Sequence, residues 1–220
     1  MPKAPRTAEE VDLVKQEILT KALQLIVDEG YNKLSMRKIA SRLGITAANI
    51  YNYFASKEEI NLWIRIKGFE IMDTMLSKSN DEKKSLVDNL RGLLRAYFEF
   101  GTTYSEYYDI IFNLRTPKVT DYIGTEFEEI ATSRLRVAGR RCLNHFLQIV
   151  EKIFTVNNNL PENYTLYKTI QLWSDMHGLI SLNNSNQIQQ VVDNPKEFID
   201  FRIEALIREL LGKKRLKLIS

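Results

Sequence analysis

The sequence predicts an all-α protein of about nine helices, with a small three-helix head in residues 1–56 and a larger helical body in 57–220, joined through helix four. Three observations carry that expectation. Apolar residues recur at spacings of three and four along most of the chain, which lines one face of a helix. Capping residues stand at the starts of these runs, and Gly30, Gly44 and Gly212 at their ends, where a residue without a Cβ closes a helix at little cost. From Ser85 onward no stretch reads as a strand.

Thr7 and Glu10 have the spacing of a capping box, and Val11, Val14, Ile18, Ala22, Leu25 and Ile26 place helix one up to about Glu29. Tyr31 and Leu34 cover the small core of the head. Ile39, Ala40 and Leu43 share a face of helix two, Gly44 ends it, and Thr46 caps helix three. In helix three Ile50 and Phe54 turn inward, so Ala47, Asn49, Tyr51, Asn52 and Tyr53 spread over the other sides. Ser56 and Glu59 form a second capping box, and Ile60, Trp63, Ile64 and Lys67 carry helix four toward Leu76. Twenty such residues span about 30 Å. The polar run Ser77 to Lys84 ends it.

In the body, Leu86, Leu90, Leu93, Leu94, Tyr97 and Phe98 line helix five, a short sixth runs from Tyr107 to Leu114, and a long seventh from Phe127 to Phe154. The loop Thr155 to Asn163 leads to helix eight, from about Thr165 to Leu182. Gly178 within it costs about 1 kcal/mol against alanine, which close approach of a partner helix would offset. Asn194 caps helix nine, Pro195 takes its first turn, and Phe198, Ile199, Phe201, Arg202, Ala205, Leu206 and Leu210 lead to Gly212.

Composition is ordinary for a globular chain: 220 residues, 44% hydrophobic and 27% charged. The single cysteine, Cys142, rules out an intramolecular disulfide and fits a reducing cytoplasm. No apolar run reaches the roughly 20 residues of a membrane helix, so no membrane partner is expected. The net charge of +3 is too small for binding by bulk charge. Any nucleic-acid face must concentrate its cations, with Arg6, Lys33, Arg37, Lys38 and Lys57 as candidates. Lys3 and Arg6 could form an arm reaching the minor groove, and Lys213, Lys214, Arg215 and Lys217 a tail that touches nucleic acid or a membrane surface; frayed ends without a role are the preferred reading of both.

Small, hydrogen-bonding residues on the outer side of helix three suit the DNA major groove, about 12 Å wide. Asn49 can pair with adenine through both amide atoms, Ala47 and Ala48 can touch a thymine methyl, and tyrosine or lysine can hold phosphates. A plain helical hairpin would show the same periodicity. The run Ser-Met-Arg-Lys-Ile-Ala-Ser-Arg-Leu-Gly-Ile-Thr, followed by Asn-Ile-Tyr-Asn-Tyr-Phe-Ala-Ser-Lys-Glu-Glu-Ile, resembles the DNA-binding domain of the TetR family of bacterial regulators over about Val11 to Ile66. The resemblance implies a homodimer with one helix-turn-helix per subunit and a ligand-sensing and dimerisation domain behind it. It implies that Tyr51, Asn52, Tyr53 and Lys57 face the DNA backbone, in a surface completed by Ser35, Arg37, Thr46, Ala47, Ala48 and Asn49. The two alanines depart toward small side chains, which leaves direct readout to few groups.

Nine aromatics fall between Tyr97 and Phe127. Most are core, but so many tyrosines also suit the wall of a pocket for an apolar or aromatic effector, and Tyr97, Phe100, Tyr104, Tyr108 and Phe112, with Trp173 and His177, are the candidate ligand residues. The run Leu-Trp-Ser-Asp-Met-His-Gly-Leu resembles a tryptophan, histidine, glycine signature in the C-terminal domain of one branch of the family. In relatives the last two helices pack on the same pair from a second subunit, which implies an interface of Trp173, Gly178, Phe198, Phe201, Arg202, Ala205 and Leu206. An internal hairpin would need the same apolar stripe.

Catalytic and cofactor signatures are missing. No GxGxxG or GxxxxGK occurs, His145 and His177 lie far apart without an HExxH, and no carboxylate pair is marked out. No metal or cofactor is expected, and Cys142 reads as a small core residue beside Arg140 and Arg141. Arg134, Arg136, Arg140 and Arg141 read first as a solvated face. The expected function is a ligand-responsive, DNA-binding transcription repressor that binds a roughly palindromic operator as a homodimer and is released by a small, mainly apolar ligand. An activator on the same fold, a helical ligand-binding protein without gene regulation and, last, an all-helical enzyme are the alternatives.

Overall fold

The computed structural model describes residues 7–155 and 160–219, with side chains up to residue 212. Lys3, Arg6 and the basic side chains of the tail therefore lie outside the described residues. Every regular element among those described is helical: α1 (Ala8–Glu29), α2 (Met36–Leu43), α3 (Ala47–Tyr51), α4 (Lys57–Ser79), α5 (Leu86–Thr103), α6 (Ser105–Tyr108), α7 (Arg136–Phe154), α8 (Tyr164–Asn184), α9 (Gln187–Val191) and α10 (Pro195–Ile219). None is long and apolar enough to cross a membrane.

Packing divides the chain into two compact units, one of residues up to Phe69 with Glu106–Val137, the other of Glu70–Ser105 with the chain from Ala138 onward. These limits differ from a division at residues 56 and 57, because the first half of α4 and residues 106–137 share a core with each other. In the first unit the Thr7 and Glu10 capping box is made in both directions, at 3.2 and 2.8 Å. Gly30 and Gly44 close α1 and α2 with φ of 87° and 66°, where a side chain would be strained. Ile18, Ala22, Ile26, Ile39, Ala40, Ile50 and Phe54 are buried, as their spacing requires.

Residues 106–137 are less regular than expected. The predicted sixth helix is the single α-turn α6 followed by a π-helical turn, Asp109–Asn113, and the long seventh begins with another, Ile130–Leu135. Each π turn inserts a residue into the helical repeat, which no apolar spacing announces. Leu62 and Ile66 of α4 pack with Tyr122, Phe127, Ala131 and Leu135, flanked by Trp63, Phe69, Val119 and Ile130.

In the second unit α5 packs on α8 and α10. The approach of α5 to α8 is close: a Cβ on Gly101 would lie 2.7 Å from Ile180 Cγ2. Arg91 of α5 grips Glu204 of α10 through two nitrogens, Nη2 to Oε2 at 3.1 Å, and Arg95 meets Asp200 at 3.0 Å. The short α9, anchored by buried Ile188, is an addition to the expected nine helices. Gly212, with φ of 62°, breaks α10 where the sequence predicts its end.

Candidate nucleic-acid interface and effector residues

The turn between α2 and α3 is built by backbone bonds from Ile45 N–H to Ala40 O at 3.0 Å and from Gly44 N–H to Ser41 O at 3.3 Å. They satisfy carbonyls at the end of α2 and turn the chain sharply into α3. Two hydroxyls cap the pair: Ser35 Oγ accepts from Lys38 N–H at 3.3 Å, and Thr46 Oγ1 from Asn49 N–H at 3.3 Å. Ile50 and Phe54 anchor α3 inward. Thr46, Ala48, Asn49, Tyr51 and Asn52 are consequently exposed around α3, and Arg37 is exposed on α2, with Ser35, Ala47, Tyr53 and Lys57 half-buried. Tyr51 exposes 57% of its surface.

The cations of this face are not equivalent. Lys38 and Arg42 both reach Glu29, at 2.5 and 3.7 Å, and the hydrogen bond from Lys38 holds that carboxyl below its ordinary range. Lys57 Nζ instead lies 4.9 Å above the Tyr31 ring, whose hydroxyl donates to Glu58 Oε1 at 3.4 Å. A lysine held over a ring keeps its charge near the surface yet has a preferred position.

The candidate effector residues fall into two groups. In the second unit Tyr97 and Phe100 are core, and Tyr104 stacks on Phe100 at its edge. Trp173 Nε1 donates to the Tyr97 hydroxyl at 2.7 Å, and that hydroxyl lies 3.0 Å from His177 Nε2. The Tyr97 hydroxyl therefore accepts from the indole, and the direction of its bond with His177 follows the imidazole tautomer. Burial pushes the His177 pKa down to about 4, which favours the neutral ring. In the first unit Tyr108 is buried and packs edge-on against Phe112, which also meets Phe69.

The expected dimer residues also separate. Gly178 and Phe201 are exposed, and a Cβ on Gly178 would meet nothing within 4 Å. Tyr167, Ile170 and Leu182 add exposed apolar surface to α8. Phe198, Arg202 and Ala205 are half-buried, and Arg202 meets Glu209 and Asp175 at 3.0 and 3.8 Å. Leu206 is 1% exposed and belongs to the subunit's own core, and Trp173 is turned toward Tyr97. The apolar stripe on the terminal helices thus divides into buried and exposed residues, a distinction that spacing alone does not make.

Residues 18–62 match the family of bacterial regulatory proteins called tetR, and residues 90–206, more than half of the chain, match the tetracyclin repressor-like C-terminal domain. The chain belongs to the TetR family. It is 26% identical over 139 residues to the transcriptional activator FasR of Mycolicibacterium smegmatis, covering 62% of this chain and 58% of FasR. It is 31% identical over 97 residues to the transcriptional repressor KstR2 of Mycobacterium tuberculosis, covering 43% of this chain and 47% of that one. The chain thus spans about half the length of these curated relatives. Its fold is similar to that of the regulator FadR of Bacillus subtilis, solved with stearoyl-CoA, with a TM-score of 0.64 and 15% identity over 87% of this chain and 97% of that one.

Within this TetR-family chain the other reactive side chains are engaged structurally. His145 Nε2 contacts both Asp73 Oδ1 at 2.8 Å and Ser77 Oγ at 3.5 Å. Both contacts use one ring nitrogen, so they cannot relay a proton from one side of the ring to the other. Burial pushes the Cys142 thiol up to about 12, which keeps it un-ionised. Among the described residues no three His, Cys, Asp or Glu are grouped to hold a metal ion. Sequence reading misses Asn61 and Arg65: both are buried polar residues of α4, facing partners 61 and 52 positions along the chain. A polar residue within an amphipathic helix reads as solvated until its distant neighbour is known.

Proposed function

We propose that this protein is a homodimeric, DNA-binding transcription regulator, acting as a repressor that a small, mainly apolar ligand releases from a roughly palindromic operator. The observation that carries the reading is the capped α2–turn–α3 unit, whose outer side presents Ala48, Asn49, Tyr51 and Asn52 while Ile50 and Phe54 are locked behind it. Asn49 reads bases, and Tyr51, Asn52, Tyr53 and Lys57 hold the backbone. Two such units related by a two-fold axis would fit half-sites about 34 Å apart or a related spacing. The exposed row of Tyr167, Ile170, Gly178, Leu182 and Phe201 supports pairing through α8 and α10.

The Trp173, Tyr97 and His177 chain supports placing the C-terminal half with the tryptophan, histidine, glycine branch and gives two of its signature residues a role in holding α8 to α5. An acyl-chain effector suits the aromatic interior, a choice favoured by the neighbour solved with stearoyl-CoA. The work is regulation by binding, without catalysis, in the cytoplasm. An activator is the second reading, favoured by FasR.

Fluorescence anisotropy of the purified protein on duplexes from upstream of its own gene, against a scrambled duplex at fixed salt, tests the reading. Tight binding that the scramble lacks is the expected result. Binding no tighter than the scramble, together with failure of a random-sequence selection, would replace it with a helical ligand-binding protein.

A further inference from the structure

Helix α4 carries two polar side chains in an apolar setting. Asn61 is 0% exposed and Arg65, one turn on, 6%. Asn61 Nδ2 donates to the Tyr122 hydroxyl at 2.8 Å, and Arg65 Nη1 to the Pro117 carbonyl at 2.7 Å. Among the described residues neither side chain is fully satisfied: Asn61 Oδ1 and Arg65 Nε find no hydrogen-bond partner there. Among the described residues no carboxylate lies within 4.0 Å of Arg65 to offset its charge. Tyr122 itself belongs to a cluster with Leu62, Ile66, Phe127, Ala131 and Leu135, so an apolar residue at position 61 would suit its neighbours. A partly satisfied polar contact in such a place costs stability.

The partners of these residues lie in a stretch with little helix of its own, 114–129, between the π turns Asp109–Asn113 and Ile130–Leu135. The apolar cluster and these polar bonds, rather than a continuous helix, fix that stretch to α4. The bonds also continue toward the head. The Tyr122 hydroxyl, having accepted from Asn61, donates to the Glu58 carbonyl at 3.4 Å; the Glu58 carboxylate accepts from the Tyr31 hydroxyl at 3.4 Å; Lys57 sits 4.9 Å over the Tyr31 ring. Each link is in the first turns of α4 or rests on them.

We infer that Asn61 and Tyr122 are positioning residues, a polar latch through which residues 117–122 set the place of Tyr31 and Lys57 on the face that binds DNA. The inference rests on the DNA-binding reading for its consequence, but the latch has its own observable. Hydrogen exchange by mass spectrometry on the full chain compares wild type with Asn61→Leu, Tyr122→Phe and a control, Ile123→Ala, at an exposed neighbour. Both latch variants should speed exchange in the peptide holding the Lys33 and Leu34 amides, which bond to Gly30 and Tyr31 carbonyls. The control should not. Changes confined to residues 117–123 would overturn the latch. Tyr122→Phe keeps the ring, so it decides the matter if Asn61→Leu does not fold.

Duplex binding supplies the second readout. Lys57→Ala should lower the salt slope by about 0.9, one phosphate contact, in wild type and change it little in Asn61→Leu, where Lys57 is already misplaced. Fully additive effects of the two substitutions would show that the latch does not reach the DNA face and would overturn the inference. If wild type binds no duplex while exchange at Lys33 and Leu34 still responds, the DNA-binding reading fails and the latch stands as a property of the fold.

Discussion

At the scale of single residues, the proposed function separates a reader, Asn49 on α3, from a holder, Lys57 at the start of α4. Asn49→Ala should lose about 1–3 kcal/mol of preference for the operator while keeping salt-sensitive binding to any duplex; Lys57→Ala should weaken all duplexes alike. Anisotropy titrations of both variants on specific and scrambled duplexes check this, and equal effects on both duplexes from both variants would refute the division. His177 gives a pH prediction whose sign follows from its burial. Its pKa is held down to about 4 in the folded chain, against 6.5 when free, so between these values the unfolded chain binds more protons. Stability should therefore fall as pH drops from about 6.5 toward 4. Thermal melts of wild type and His177→Gln over this window should show a steeper loss for wild type; parallel curves would mean that the imidazole carries no such burden. The exposure of Asn49 was legible in the sequence because caps and inward anchors fix which way α3 faces. The Tyr97 to His177 bond was not, since nothing in two helices 80 residues apart states their register.

Among the helices, two glycines of the second unit have opposite roles. Gly101→Ala would drive a Cβ to 2.7 Å from Ile180 and should destabilise the chain by about 1–3 kcal/mol. Gly178→Ala faces open space and should raise subunit stability by up to about 1 kcal/mol through helix propensity. Denaturant titrations of both variants separate these outcomes, and a neutral Gly101→Ala would show that α5 and α8 can move apart cheaply. A glycine mid-helix in α8 suggested close approach from the sequence; within the subunit, that approach occurs at Gly101 in α5. Caps and helix ends were the most readable elements, because Thr7 with Glu10, Gly30, Gly44 and Thr46 act over three or four residues. The π turns and α9 were the least readable. A π turn depends on what the extra residue packs against, and α9 on burial of Ile188 alone.

For the molecule as a whole, the proposed pairing is tested at Phe201, 59% exposed on α10. Phe201→Asp should shift sedimentation from dimer to monomer, and lower operator affinity with it, while leaving the melting curve of the subunit nearly unchanged; a variant that stays dimeric would place the interface elsewhere. Leu206→Asp should instead unfold the subunit, since it would bury a charge. By itself the sequence determined the all-helical class, the head with its capped turn and the side of α3 that faces outward, because these rest on short-range spacing and local capping, while the family was legible only through the resemblance of the run from Ser35 to Ile60. Only the tertiary structure decided that residues 106–137 pack with the first half of α4, that Leu206 and Trp173 turn inward while Phe201 turns out, and that Asn61 and Arg65 are buried against Tyr122 and Pro117. Each of those outcomes depends on contacts between residues far apart in the chain, and amphipathic spacing says which residues share a face without saying what covers it.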